Sequence, residues 1–435
     1  MNDSKRHLIQ KAMMRPTYIL TFFLVLGLFT ACDEQATSIW NPEEQASGAA
    51  PTLTNITPEG GYLSGVDAIT VTGTGFSSNL ADNKIYFSSS EDKGVAGVIL
   101  SGSSTQLEVR PPNIAGDTIL VKALVTGSET FSNTLIYKLS PPIVEVYPGF
   151  VPNSQTPVSL GLDNNGDLFV AITESGTPLG VNKVDVSVTG EEVSNFILAN
   201  NRFRFDAIDF SSDNRMYICL GIRAVFQGTQ GEKEGAHFIM PNPFTFMNFD
   251  MDENGFMWLV GNNTHIVRHV PQTERVNISN INSLPDNTVI FPFEADVRGV
   301  SYYNSALYLV GKDDAGPKIW KASLNDNSEV TSVDEFTDLG AALGDVGPDD
   351  TFSDIVIAED GMLYVATNRT ESILEISADG STVGALYEGV LYPSVTSLDW
   401  DNGDFLYANT IQTTVEGSIN SVIKINMQKK SAPDF

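Results

Sequence analysis

Six stretches of this chain repeat one pattern, an apolar run, a short polar turn and a second apolar run. They are "VSLGLDNNGDLFVAIT" from Val158, "FDAIDFSSDNRMYICLG" from Phe205, "FMNFDMDENGFMWLVGN" from Phe246, "VRGVSYYNSALYLVGK" from Val297, "FSDIVIAEDGMLYVATN" from Phe352 and "VTSLDWDNGDFLYANT" from Val395. Their turn positions, Gly166, Asn214, Gly255, Ser305, Gly361 and Gly403, stand 48, 41, 50, 56 and 42 residues apart. Each stretch reads as a β-hairpin. A lone hairpin is marginally stable in water, so the rest of each period must supply strands that extend and cover it. This spacing fits a four-stranded propeller blade better than a solenoid coil.

A third short strand follows most hairpins, in "VNKVDVSV", "THIVRHV", "PKIWKASL", "SILEIS" and "SVIKINM". The blades therefore read as meanders. With an apolar strand, an Asp/Asn-Gly turn, a "LYVA"-like strand and an "I-x-K" strand, the region from Pro141 to Phe435 resembles NHL-type six-bladed propellers. The sixth repeat ends after its third strand, and "PPIVEVYPG", from Pro141 to Gly149, is the natural donor of the missing outer strand, which would close the ring without an open sheet edge.

Upstream of the repeats, Pro51 to Leu139 is patterned as short strands separated by Pro and Gly turns. Its "ITPEGG", "VTGTGF", "VRPP" and "LIY" occur in the order found in IPT/TIG domains, which this segment resembles. The resemblance implies an immunoglobulin-like β-sandwich used as a spacer, scaffold or binding module. The expected fold class is all-β, an N-terminal Ig-like sandwich at 51–139 and a C-terminal six-bladed propeller at 140–435.

The N-terminus reads as a targeting segment. Lys5, Arg6, Lys11 and Arg15 precede the apolar run "YILTFFLVLGLFTA", which ends at Cys32. A transmembrane anchor is the alternative, but the run is shorter than the roughly 20 residues a spanning helix needs. "FTAC" resembles the lipobox of bacterial lipoproteins, which implies a signal peptide at 1–31, acylation of Cys32 and tethering to a membrane. "DEQ" after the cysteine resembles surface-export signals of some glycan-foraging Gram-negative bacteria, and an ordinary polar tether remains the alternative. Residues 32–50 read as a flexible tether. The expected location is the cell envelope, as an outer-membrane lipoprotein exposed at the surface.

Removing residues 1–31 takes away four basic side chains and one acidic one, moving the formal charge from −29 to −32. Such a surface repels phosphates and makes nucleic acid a poor partner. Cys219 would be the one free thiol of the mature chain, which leaves no intrachain disulfide; it reads as a small buried hydrophobe.

Aligning the innermost strands gives two polar or small rungs facing the axis. The first is Ser159, Ala207, Asn248, Gly299, Asp354 and Ser397; the second is Gly161, Asp209, Asp250, Ser301, Val356 and Asp399. Leu160, Ile208, Phe249, Val300, Ile355 and Leu398 alternate with them and should pack between blades. Asp209, Asp250, Asp354 and Asp399, with the Asn248 carbonyl, form a candidate Ca²⁺ site. The alternatives are a water-filled polar channel, or aspartates bonded to neighbouring backbone N–H groups. His265 and His269 in "THIVRHV" share a strand face and are a weaker metal pair, read as two surface histidines.

By analogy with propellers generally, functional residues gather where first strands begin and second strands end. That places Asp206, Asn262, Arg298, Lys312, Asn368, Arg369 and Asn409 on a top rim. Tyr302, Tyr303, Trp258 and Trp400 are nominal sugar-stacking faces, although propeller core is the plainer reading. Together these features point to a lipid-anchored binding protein for a polysaccharide, or an accessory to an outer-membrane transporter. A metal-dependent lactonase or hydrolase and a protein-docking propeller are the alternatives. No catalytic motif is present to assign a reaction.

Overall fold

The structure is a computed structural model that describes residues 48–433, apart from 67, 90–93, 148–153, 185–192, 199–204, 233–234, 272–273 and 415–416. The expected signal peptide, Cys32 and nearly all of the expected tether lie outside the described residues.

The first domain packs two sheets face to face. One has the strand order Thr52–Thr57, Ile69–Thr74, Gln106–Arg110, Val98–Gly102; the other runs Tyr62–Ser64, Leu135–Pro142, Gly116–Val125, Asn83–Ser88, Val95–Ala96. Alternating residues such as Ile69, Val71, Ile85, Phe87, Leu107, Val109 and Val121 have no exposed surface and fill the space between the sheets. Asn133 ties the first strand in, accepting from Leu53 N–H at 2.8 Å and donating to its carbonyl at 3.0 Å.

The last sandwich strand runs through Pro142, three residues past the boundary read from the sequence, and the next strand, Val144–Tyr147, already belongs to the propeller. Between them Ile143 is fully buried in the propeller core. Asn113 donates to the Val144 carbonyl at 2.8 Å and Arg110 to the Glu388 carbonyl at 3.0 Å, so the sandwich is braced against the propeller on both sides of the crossover.

Six blades follow. Their innermost strands are Gln155–Leu162, Ala207–Phe210, Asn248–Met251, the C-terminal half of Thr288–Tyr303, Phe352–Ile357 and Val395–Trp400. Thr288–Tyr303 serves two blades, because its first half pairs with Asn262–His269 as an outer strand and its second half with Ala306–Asp313 as an inner one. The sixth blade takes its outer strand from Val144–Tyr147, paired antiparallel with Val144 opposite Ile425 and Tyr147 opposite Val422. This pairing gives the backbone groups of the last strand partners and links the two ends of the ring.

The hairpin turns show why the repeat carries Gly, Asn and Asp there. Gly166, Asn214, Gly255, Ser305 and Gly361 have φ of 80, 63, 74, 56 and 82°, the left-handed region that Gly enters freely and Asn more readily than most residues. In three of the turns a carboxylate two or three residues earlier folds the chain. Asp163 Oδ1 accepts from the N–H groups of Asn165 and Asp167, Asp252 Oδ1 from Asn254 and Phe256, and Asp401 Oδ1 from Gly403 and Phe405.

The six alternating apolar residues of the inner strands are 5% exposed or less. Each packs against the preceding blade: Ile208 with Phe169, Phe249 with Tyr217, Val300 with Trp258, Ile355 with Tyr308, Leu398 with Tyr364 and Leu160 with Tyr407. Full burial of one such side chain contributes about 1.5–3 kcal/mol, which makes these contacts a principal link between neighbouring blades.

Candidate ligand site on the propeller axis

Two cavities lie along the axis. The smaller, about 100 Å³, is the channel between the inner strands, lined by the candidate metal residues Asp209, Asn248, Asp250, Asp354 and Asp399. Its turn-side end is covered by the C-terminal residues Ser431, Ala432 and Pro433. Ala432 N–H donates to the Ile357 carbonyl at 2.9 Å, Ser431 Oγ to the Asp401 carbonyl at 3.2 Å, and Lys429 pairs with Asp360 at 2.8 Å.

The channel carboxylates are engaged by backbone donors. Asp250 accepts from Met251 N–H at 2.7 Å and, across the blade boundary, from Tyr302 N–H at 2.5 Å. Asp399 accepts from Trp400 N–H at 2.7 Å and from Leu162 N–H of the first blade at 2.5 Å. Asp209 accepts from Phe210 N–H at 2.7 Å. Asp354 accepts from Ile355 N–H at 3.0 Å, from Leu398 N–H of the next blade at 2.9 Å and from Asn248 Nδ2 at 2.9 Å. The Asn248 carbonyl oxygen, the expected cation ligand, accepts from Phe249 N–H at 2.7 Å.

The inner strand is the free edge of each blade, so those of its N–H groups that point to the axis have no neighbouring strand. The aspartates supply the missing acceptors and join one blade to the next. Among the described residues no group of three or more His, Cys, Asp or Glu is placed to hold a metal ion. The five residues converge as the alignment expects, but their oxygens are engaged by N–H donors and do not suit a Ca²⁺ shell.

Asp354 is the extreme case. Burial with no cationic partner pushes its carboxyl up to about 6, against the opposing pull of its N–H donors. Gly299 makes room for it, since a Cβ there would stand 2.8 Å from the Asp354 Cα. The Asn248 to Asp354 bond thus passes from the third blade to the fifth, past the fourth.

The larger cavity, about 1130 Å³, opens on the opposite face as a funnel. It is lined by the beginnings of the inner strands, including Thr156, Asp206, Met247, Asp296, Arg298 and Thr396, and by Lys312 at the end of a second strand. The connection between the fourth and fifth blades forms one wall through Gly344, Val346, Gly347, Pro348, Asp350 and Thr351. The volume slightly exceeds the roughly 300–1,000 Å³ of usual small-molecule clefts.

Of the seven rim residues expected from sequence, Asp206, Arg298 and Lys312 line this funnel. Asn368 and Arg369 are occupied in holding its wall. Arg369 donates to Asp345 at 2.8 Å and to Asp350 at 2.5 Å, while Asn368 accepts from Thr351 N–H at 2.8 Å and donates to the Asp349 carbonyl at 2.9 Å. Asn409 has no exposed surface; it accepts from Ser397 N–H at 2.7 Å and donates to the Pro157 carbonyl at 3.1 Å, clamping the sixth blade to the first. Asn262 is exposed but does not line the funnel. A polar residue at a strand end serves the rim or the backbone equally well, and sequence position alone does not separate the two.

Other expectations are corrected by burial. His269 is not a surface histidine: it is fully buried, stacks on Phe238 at 4.0 Å between ring centroids and bonds Thr288 Oγ1 through Nδ1 at 3.0 Å. Burial and the neighbouring His237 lower it to about 3. Its strand neighbour His265 lies instead beside Phe244. Trp258, Tyr302 and Trp400 are core, and Tyr303 donates its hydroxyl to the Glu359 carbonyl at 3.0 Å, so none of the four is a free stacking face. Cys219 is fully buried, and burial raises its thiol.

Sequence reasoning missed Asp296, Thr156, Thr396, Ser353 and the 344–351 wall. The "PDDT" turn at 348–351 and the position of Asp296 two residues before Arg298 were the available signals.

Comparison with known proteins bears on fold. Residues 51–138 match the family model of the IPT/TIG domain. A search of curated proteins finds no match to the chain. Among solved structures, a Bacteroides thetaiotaomicron protein of unknown function is 13% identical, with 87% of this chain and 98% of that one covered at a TM-score of 0.46. Regucalcin from Agrobacterium tumefaciens, a calcium-binding protein, is 12% identical over 67% of this chain and 95% of its own, at 0.48. A luciferin-regenerating enzyme is 12% identical over 67% and 98%, at 0.49. At these values the likeness is one of fold alone. The chain is an IPT/TIG sandwich followed by a six-bladed β-propeller.

Proposed function

We propose that the protein is a lipid-anchored binding protein of the cell envelope, whose propeller takes an oligosaccharide or polysaccharide end in the funnel. The observation that carries this reading is the contrast within one axis. The channel carboxylates have backbone partners, whereas the funnel is wide and combines the exposed Thr351 and the donors of Arg298 and Lys312 with apolar Val158, Met247 and Ile411. Such a mixture suits a hydroxylated ligand held at many weak points. The anchor is Cys32, the sandwich is the spacer, and an outer-membrane transporter is the partner to which the captured polymer would be passed.

The test is retention of the mature protein on immobilised polysaccharides, with Thr351→Trp placing a bulky ring at the exposed funnel mouth. Binding in the wild type, with at least a tenfold loss in the variant and an unchanged melting temperature, is the expected result. Equal retention of the two proteins would remove the funnel as the seat. For the anchor, Cys32→Ser is expected to move the protein from the membrane to the soluble fraction, and continued membrane retention of that variant would refute acylation.

A further inference from the structure

The chain carries 54 acidic side chains against 25 Lys and Arg. On the fourth blade's wall of the funnel that balance is locally reversed. Asp296 and Lys312 stand directly opposite each other in the antiparallel pair, so their side chains leave the same face of the sheet. Arg298 sits unpaired at the β-bulge between Val297 and Gly299, lines the same funnel and reaches back to Asp296.

Arg298 Nη2 donates to Asp296 Oδ2 at 2.8 Å, and among the described residues its other guanidinium nitrogens and the exposed Lys312 ammonium make no hydrogen bond or ion pair. The neighbouring Asp313 does not neutralise Lys312, because it pairs with Lys318 at 3.1 Å. On the adjoining wall Asp350 is tied to Arg369. Two cations thus share one carboxylate and keep unpaired donors on this wall, although the rest of the lining stays acidic, with Asp206 in it, Lys318 shared by Asp313 and Glu335, and Arg369 shared by Asp345 and Asp350.

We infer that this wall is an anion subsite and that the ligand is an oligosaccharide bearing carboxylates, of the uronic-acid class. The inference rests on the funnel being the ligand seat. Two cations with unpaired donors favour a monoanion, since Asp296 beside them and Asp206 elsewhere in the lining oppose the second charge of a phosphate dianion. Arg298, with donors to spare, presents a planar fork suited to a carboxylate, and Lys312 adds a point charge. The exposed Thr351 on the adjoining wall supplies a hydroxyl for the sugar. The overall negative charge disfavours nucleic acid.

The experiment measures binding of the mature full-length protein to an oligogalacturonate and to its methyl ester, which keeps every hydroxyl but lacks the charge. The acid form is expected to bind at least tenfold more tightly, with affinity falling as salt is raised. Lys312→Gln should lose about fivefold for the acid form alone, and Lys312→Glu should abolish its preference. Lys312 is exposed, so these variants keep the fold, and an unchanged melting temperature verifies it.

Equal binding of acid and ester, insensitive to Lys312→Gln but sensitive to Thr351→Trp, would overturn the anion subsite while leaving the funnel reading in place. Binding of neither form, nor of any neutral oligosaccharide, would overturn both. Binding of a poly-glutamate peptide in place of the sugars would reject the uronic-acid class.

Discussion

The channel and the funnel share an axis and six inner strands, yet they use acidic residues in opposite ways. In the channel, Asp250, Asp354 and Asp399 are acceptors for the strand edges that face the axis, each linking one blade to the next. In the funnel, Asp296 and Asp350 hold arginines in place. A ring of carboxylates therefore does not by itself make a cation site. What decides is whether the oxygens already have donors, and in the channel the free edges of the blades provide them.

The largest effect should come from removing what the two cavities share. Replacing Glu145 by Pro takes from the closing strand the N–H that its register directs at Lys424 of the last strand. A loss of about 3 kcal/mol or more is expected, with channel and funnel lost together. Chemical denaturation of the variant measures it. An unaltered unfolding midpoint would mean that the ring does not depend on this strand.

Asp354→Ala separates the cavities. It strips the acceptor from Leu398 N–H, Ile355 N–H and Asn248 Nδ2, and should destabilise by about 2–4 kcal/mol, since unsatisfied buried donors are costly. Ligand retention by the folded fraction should be unchanged. Loss of binding at full stability would place the site in the channel instead.

Arg369→Ala should cost less, about 1–2 kcal/mol, because Asp345 is largely exposed and solvent screens that half of the pair. Its mark should be local. Faster amide exchange across 345–351 and weaker ligand retention are expected, whereas exchange in the channel strands stays slow.

The pH dependence of stability sharpens the comparison further. Asp354 has its folded value raised to about 6 from 3.8, so the native state binds the proton more tightly. Its contribution is present below pH 3.8 and is lost as pH rises toward 6. His269 works the other way: lowered from 6.5 to about 3, it contributes above pH 6.5 and loses that contribution as pH falls toward 3. Melting curves of Asp354→Ala and His269→Phe against pH should lose these opposite slopes one at a time. The same slopes in variant and wild type would reject the assignment.

The smallest effect belongs to Asn262→Ala. An exposed side chain outside the funnel should change stability by no more than about 0.5 kcal/mol and leave binding intact, as calorimetry and retention would show.

Much of the architecture was legible in the chain. The period of the hairpins, the Gly and Asn turns, and the alternation that buries Leu160, Ile208, Phe249, Val300, Ile355 and Leu398 are local properties, because strand period and turn conformation depend on neighbouring residues. The three-stranded sixth repeat likewise pointed to Val144–Tyr147 as the closing strand, a pairing that the structure contains.

The candidate sites were only half legible. Alignment brought Asp209, Asp250, Asp354 and Asp399 to one axis, but their role was set by N–H groups on neighbouring blades, up to 237 residues away for Asp399 and Leu162. Asn409 and Arg369 have the composition of a rim and the partners of a clamp, since their donors and acceptors come from other blades or from a separate loop. The unpaired donors of Arg298 and Lys312 likewise share one wall only once Asp296 and Lys312 fall opposite each other and Asp313 turns toward Lys318. Strands, turns and the residues facing the axis follow from the order of neighbouring side chains. Which polar groups are already bonded follows from the fold, because hydrogen bonding and ion pairing depend on distances that the closed ring sets.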